Sequence, residues 1–223
     1  MTRVLFFVVS LLFLCSCESR YDEGVRYHSD GTSRSSVMVA PVMDRAKPDL
    51  PWDVSTELTE TLEMAVNRRG DIYLSSDYSA PVPTNVWNHP QGQEAQQFVN
   101  MYPRTDFVVL VELLEHEYSG RDHTKTQPIY ADSNQIKAVL TLTARVQVLD
   151  LRHGDVRPVL QQIIPSNHMI PVVKQDVDYY QKPWGSDEYH ATPVGMAHTK
   201  LTKDILDQVE RYISFARKSK VIN

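Results

Sequence analysis

From Ala138 onward the chain alternates strictly: Leu140, Leu142, Ala144, Val146 and Val148 on one face, Thr141, Thr143, Arg145 and Gln147 on the other. A period of two over such a run predicts a long strand with one buried face. A turn at Arg152-His153-Gly154-Asp155 follows, and Val159 to Ile164 is predicted as the hairpin partner. Phe107 to Leu114 is apolar at both parities, as suits a central strand covered on two sides. Val37 to Val42 and Ile72 to Leu74 read as two further short buried strands.

Helical spacing governs two other segments. One runs from Asp53 or Ser55 to Arg69 with Val54, Leu58, Leu62, Ala65 and Val66 as its stripe. Glu57, Glu60 and Glu63 crowd its first half, Arg68 and Arg69 its end, and Gly70 stands where a C′ glycine is expected. The second opens at Thr192-Pro193, a cap residue before Pro at N1, and carries Val194, Ala197, Leu201, Ile205, Val209, Ile213 and Ala216. A short helix is predicted over Gln93 to Met101, and loops over Ser79 to Pro90 and Arg121 to Ser133. This order predicts an α/β fold in a single domain, a mixed β-sheet of about five strands packed by two main helices and one short helix. The domain is expected over residues 36–217, with a polar tail over 218–223.

The first residues read as an address. Arg3 is followed by an apolar run of 11 residues, Val4 to Leu14, which suits a secretory h-region; a bilayer span takes roughly 20. Leu14-Cys15-Ser16-Cys17 resembles the bacterial lipobox, with Leu at −3, a small residue at −1 and Cys17 as the lipidated new N-terminus. Cutting before Cys15 would instead set Phe13 and Leu14 against the scissile bond. Residues 1–16 are therefore expected as a lipoprotein signal peptide and 17–35, polar and rich in Gly and Ser, as a flexible tether. The domain is expected to face the periplasm from a membrane, the outer membrane in our reading.

Charge narrows the partners. Cleavage removes Arg3 and takes the net charge from −5 to −6, and no long Lys/Arg run exists, which excludes nucleic acid as a main partner. Of the 2 cysteines only Cys17 survives, its thiol used by lipid. That excludes disulfides, Cys-ligated zinc and a thiol nucleophile.

The Val37–Pro41 strand, the capped helix, Gly70 and the Ile72 strand resemble the start of the CsgG/LpoB-type periplasmic domains, which are related to the N-terminal domain of TolB. Thr105-Asp106-Phe107-Val108-Val109 is similar to their central strand, Leu140–Asp150 with Gly154-Asp155-Val156 to their long hairpin, and Leu201–Tyr212 to their closing helix. The resemblance implies an envelope lipoprotein working through an envelope protein partner or self-association. A CsgG-like secretion-pore subunit would contribute two amphipathic hairpins; one is visible here, Ala138–Ile164, with Gln161 and Gln162 interrupting its second strand.

Catalytic signatures are sparse. The sequence has no G-x-S-x-G, P-loop or G-x-G-x-x-G, and no cofactor is expected. Glu115 and Glu117 share a strand face and could serve a cell-wall hydrolase as paired carboxylates. His190 and His198 with Asp187 and Glu188 could form a metal site. Both are read as ordinary polar surface, so neither a catalytic residue nor a metal ligand is assigned. The punctuated stretch Lys174 to Ala191 is more informative. Its Tyr179, Tyr180, Trp184 and Tyr189 are expected as anchors for a partner, the alternative being a lid over the core.

Overall fold

A computed structural model describes residues 26–75, 86, 98–120, 136–171 and 177–218. The signal peptide, Cys17 and most of the loops expected at 79–90 and 121–133 lie outside these residues, as does the short helix save for residues 98–101, which are helical.

The sheet has six strands: β1 (Ser35–Val39), β2 (Met43–Asp44), β3 (Ile72–Leu74), β4 (Phe107–Gly120), β5 (Ile136–Asp150) and β6 (Arg157–Pro171). Their order is β3-β1-β4-β5-β6. β1 runs parallel to β3 and β4, whereas β5 and β6 are antiparallel additions. The two-residue β2, not foreseen from sequence, continues the line of β1 along β4, pairing with Glu112 and Leu113. Pro41 interrupts the two, since it has no N–H for the ladder. The chain polar groups at the break are met from the first helix: Val42 N–H donates to Thr59 Oγ1 at 2.8 Å, and the Ser55 hydroxyl donates to the Val42 carbonyl.

That helix, α1 (Val54–Asn67), starts at Asp53, whose carboxylate accepts the Ser55 and Thr56 amides at 3.2 and 3.3 Å. Its end differs from expectation. Gly70 is not left-handed, and Arg68 closes the helix in right-handed geometry. The closing helix, α2 (Pro193–Lys218), has Thr192 as its cap, the Thr192 hydroxyl accepting the Gly195 amide at 3.0 Å. Arg69 ties the helices together through Asp207 and Glu210 at 2.9 and 2.8 Å.

Both helices cover one face of the sheet. Their stripes meet Val37, Val39, Phe107, Val109, Val111 and the inward row Leu140 to Val148 of β5. The other face carries a second core, in which Phe98, Tyr102 and Val86 lie over Met38, Val108, Leu110 and Leu149. β4 is therefore buried on both sides, as its composition requires.

The hairpin is longer than its sequence pattern suggests, because β6 passes through Pro165 to Pro171. An edge strand tolerates proline, whose missing N–H is not needed on the open side. Nor does its alternation break at the glutamines. Gln162 takes an inward position opposite Val146, half-buried between Leu160 and Ile164. The inward row of β5 is buried under the helices, so a hairpin offering that face to lipid is not the state of this fold.

The sheet has two distinct ends. At the first lie the starts of β1, β3, β4 and β6, the close of β5 and the C-terminus of α2, whose Ala216 carbonyl accepts from Arg152 at 3.0 Å. The expected tether enters here. Its second half is folded: Tyr27 and Ser33 form an antiparallel bridge over a turn with Gly31 at φ +79, and Arg217 donates to the Ser33 carbonyl at 3.0 Å. The far end holds the close of β4 and β6, the start of β5, and the N-terminal turns of α2.

α2 begins in very close contact with the residues before it. A Cβ on Gly195 would lie 2.1 Å from the Tyr189 carbonyl oxygen in the 3-10 turn Tyr189–Ala191. Gly195→Ala is expected to push that turn off the helix and destabilise the domain by about 2–3 kcal/mol, measured by urea unfolding. An unchanged midpoint would show that the turn yields without cost.

Candidate functional site

The most concentrated chemistry in the described residues is a buried network at the far end, built from four segments. Glu57 enters from α1 because it falls three residues after Val54, on the apolar stripe, and it is 0% exposed. His198 enters from α2, four residues after Val194, and is 2% exposed. Tyr189 comes from the 3-10 turn held by Gly195. His116 comes from β4 by a less visible route. A bulge between Leu113 and Glu115 puts an extra residue, Leu114, into the strand and reverses its parity. Phe107, Val109, Val111 and Leu113 face the helices before it, and His116 faces them after it, opposite Leu142.

Glu57 is at the centre. Oε2 accepts the indole N–H of Trp52 at 2.7 Å, and Oε1 accepts the Tyr189 hydroxyl and lies 2.7 Å from His198 Nδ1. The Nε2 atom of His198 faces Nε2 of His116 at 3.1 Å. Aromatic rings wall the network, Trp52 meeting Tyr189 and Tyr179 edge-on at 5.5 and 6.0 Å. Outside them the hydroxyls of Tyr179 and Tyr118 stand 3.4 Å apart.

The proton count follows from this geometry. With Glu57 ionised, His198 directs Nδ1–H at it, and one proton remains for the two facing Nε2 atoms. It sits either on neutral His116, donating to His198, or on an imidazolium His198 balanced by Glu57. A second proton would set two N–H groups against each other. Burial pushes the His116 pKa down to about 4, and the charge of His198 adds to that effect. For Glu57 burial acts upward, but the hydrogen bond and charge of His198, with the Tyr189 and Trp52 hydrogen bonds, outweigh it and leave the carboxyl below its ordinary value. Burial, then the Glu57 charge and hydrogen bond, push the Tyr189 phenol up. Tyr189 therefore stays a donor.

The four aromatics expected as anchors divide. Tyr189 is 2% exposed with its hydroxyl on Glu57, so it cannot meet a partner; the Thr192-Pro193 helix start turns it inward. Tyr179 and Trp184 are half-buried against the helix-side core, and Tyr180 alone projects, at 83% exposed. The candidate metal cluster is not assembled. His190, Asp187 and Glu188 are on the surface, whereas helical twist carries His198 inside, and no metal-holding group of three His, Cys, Asp or Glu occurs among the described residues. Glu115 and Glu117 do share a face, and the bulge makes it the solvent face, where Glu115 accepts the Thr143 hydroxyl at 2.6 Å. Glu57 and His116 were missed by the sequence reading. The spacing from Val54 could have flagged Glu57; nothing in the alternation betrays the bulge.

The molecule is thus a mixed α/β domain with a closed Glu–His–His network between its helices and its sheet. Residues 23–217 match the family described as "Family of unknown function (DUF7499)", and the chain belongs to it. The fold is similar to the hypothetical protein CT253 from Chlamydia trachomatis, with 22% identity, 81% of this chain and 98% of that one covered, and a TM-score of 0.66. Weaker likenesses reach protein XCC0632 from Xanthomonas campestris (10% identity, 83% and 91% covered, TM-score 0.45) and lipoprotein GNA1162 from Neisseria meningitidis (11% identity, 79% and 99% covered, TM-score 0.35). At such identities the CT253 likeness speaks for the fold alone. No curated protein matches the sequence.

Two outcomes are expected of the network. Glu57→Ala removes the acceptor shared by the buried Tyr189 and His198 and the half-buried Trp52, and should cost about 3–5 kcal/mol in urea unfolding. Between the ordinary His value of 6.5 and about 4 the unfolded chain binds a proton that folded His116 refuses. Stability should therefore be full above that window and fall by about 3 kcal/mol as pH drops through it. His116→Gln, which can still donate to His198, should remove most of that fall, and an equal fall in the variant would place the sensitivity elsewhere.

Proposed function

We propose that this protein is a non-enzymatic lipoprotein of the bacterial envelope, anchored through Cys17 at the periplasmic side of the outer membrane. It acts through protein contacts, in envelope assembly, secretion or peptidoglycan upkeep. The observation that carries the reading is the lipobox-like Leu14-Cys15-Ser16-Cys17 behind its apolar run, joined to a domain whose chain enters at one end of the sheet. Of the exposed large apolar side chains, Tyr180, Met169 and Tyr118 cluster at the other end, at 83%, 63% and 49% exposure. An anchored domain so arranged offers that end to a partner. The satisfaction of Glu57, His198 and His116 by one another favours a structural use of these groups. The order of strand, helix, strand, central strand, long hairpin and closing helix is also the order on which the resemblance to CsgG/LpoB-type domains rests.

Wild-type protein is expected in the membrane fraction, and Cys17→Ala is expected to release folded domain, since no described helix is long and apolar enough to cross a membrane. Retention of that variant would overturn the anchor. For the partner surface, a photo-crosslinking side chain at position 180 should give a discrete adduct in intact envelopes, and one at Met64 on α1 should not. Identical patterns at both sites would remove the far end as the contact surface.

A further inference from the structure

The tether end carries a surface that the reading above leaves unused. The last two turns of α2 hold Arg211, Phe215 and Lys218 at i, i+4 and i+7, one stripe of the helix, all three exposed. Phe215 is 60% exposed, although its ring leans edge-on against Tyr212 at 6.3 Å. Phe215 and Tyr212 also line a cleft of about 350 Å³ with Arg152 of the β5–β6 turn and Arg157 at the start of β6. Arg217 next to the stripe is bonded to the folded part of the tether, where Tyr27 is 48% exposed.

Most acids at this end are engaged, Glu210 with Arg69 and Asp106 with the Ser36 amide among them, while the exposed Asp71 lines a cleft with Arg217 and Lys218. Asp150 is buried and holds Arg152 at 2.7 Å, Asp155 holds Arg157 at 2.7 Å, and Asp30 accepts from Thr32 within its own turn. A chain of net charge −5 nevertheless gathers Arg211, Arg217 and Lys218 beside two exposed aromatic rings at one end.

We propose that this end docks onto anionic lipid headgroups, with Phe215 and Tyr27 seated at the headgroup level and Arg211, Arg217 and Lys218 against the phosphates. The proposal rests on the Cys17 anchor for its setting. Only eight residues, 18–25, lie between Cys17 and the folded Arg26, a reach of at most about 30 Å. The surface from which the tether leaves is therefore held within that distance of the bilayer. Tethering supplies a high local concentration, so a patch of modest intrinsic affinity is enough to fix orientation. Aromatic rings beside cations are the usual composition of a surface resting in the membrane interface. Docked this way, the domain turns Tyr180 and the far end away from the membrane.

The test uses the unlipidated chain from Glu18 on, which contains every strand and both helices, so its outcome is independent of whether Cys17 is lipidated. Fractionation of Cys17→Ala tests the anchor separately. The chain is sedimented with vesicles of 30% phosphatidylglycerol in phosphatidylcholine, and with pure phosphatidylcholine, at 0.1 M and 0.5 M salt. Binding is expected to the anionic vesicles only and to be largely lost at high salt. Each neutralised cation should weaken binding about fivefold, so R211Q/K218Q should bind roughly twentyfold more weakly. Phe215→Ser should weaken it several-fold and Tyr180→Ser not at all. Thermal melts of these surface variants should match wild type. Absence of binding to anionic vesicles, equal binding to phosphatidylcholine, or undiminished binding by R211Q/K218Q would each overturn the proposal.

Discussion

A carboxylate without contact to water must be answered by donors, and Glu57 is such a group. Its donors come from the loop before α1, the 3-10 turn and α2, through Trp52, Tyr189 and His198, and His198 passes the contact on to β4 through His116. One buried charge thereby fixes the relative placement of both helices, the aromatic loop and the central strand. An apolar side chain of similar volume would let these elements slide; directional bonds do not. The remaining special features near it serve the same end. Gly195 lets the turn that carries Tyr189 approach α2, and the Thr192 hydroxyl closes both the turn and the helix, donating to the Tyr189 carbonyl at 2.7 Å.

The sheet gives the network a rigid floor and the molecule a direction. β4 is sealed on both faces over its first half, where a second charged contact, Glu112 between Arg145 and Arg45, pins the strands on the side away from the helices. Past the bulge its outer face is wet, and its inner face carries His116 and Tyr118. The chain enters at one end of this sheet and the network lies toward the other. In the lipid-anchored setting proposed above, that separation would divide the labour, with the entry end toward the bilayer and the end with Tyr180 toward a partner.

The aromatic loop illustrates how a wet-looking sequence can still be largely a lid. Asp178, Asp187, Glu188, Pro183 and Gly185 are surface features, Gly185 at φ +88, and they suggest a segment free of the core. Yet Tyr179, Trp184 and Tyr189 turn inward between them, because a loop capping the N-terminal turns of α2 must cover the polar network those turns expose. A loop's composition reports its solvent side; the inward side chains are selected by what lies beneath.

What the sequence determined by itself is everything set by local period: the two helix stripes, the alternating β5, the doubly apolar β4, the Thr192 cap and the lipobox-like start. Those features need only the geometry of one element and the sign of its neighbours' hydropathy. Tertiary structure decided the rest. Whether Glu57 was surface acid or core ion depended on His198, 141 residues away in the chain. Whether Glu115 or His116 faced the helices depended on the single extra residue at Leu114, which the ladder to β5 reveals and the alternation of β4 conceals. Where β6 ended depended on its being an edge strand, for only there does Pro165 leave no ladder donor missing. Each of these is a property of two elements at once, and no single element's pattern contains it.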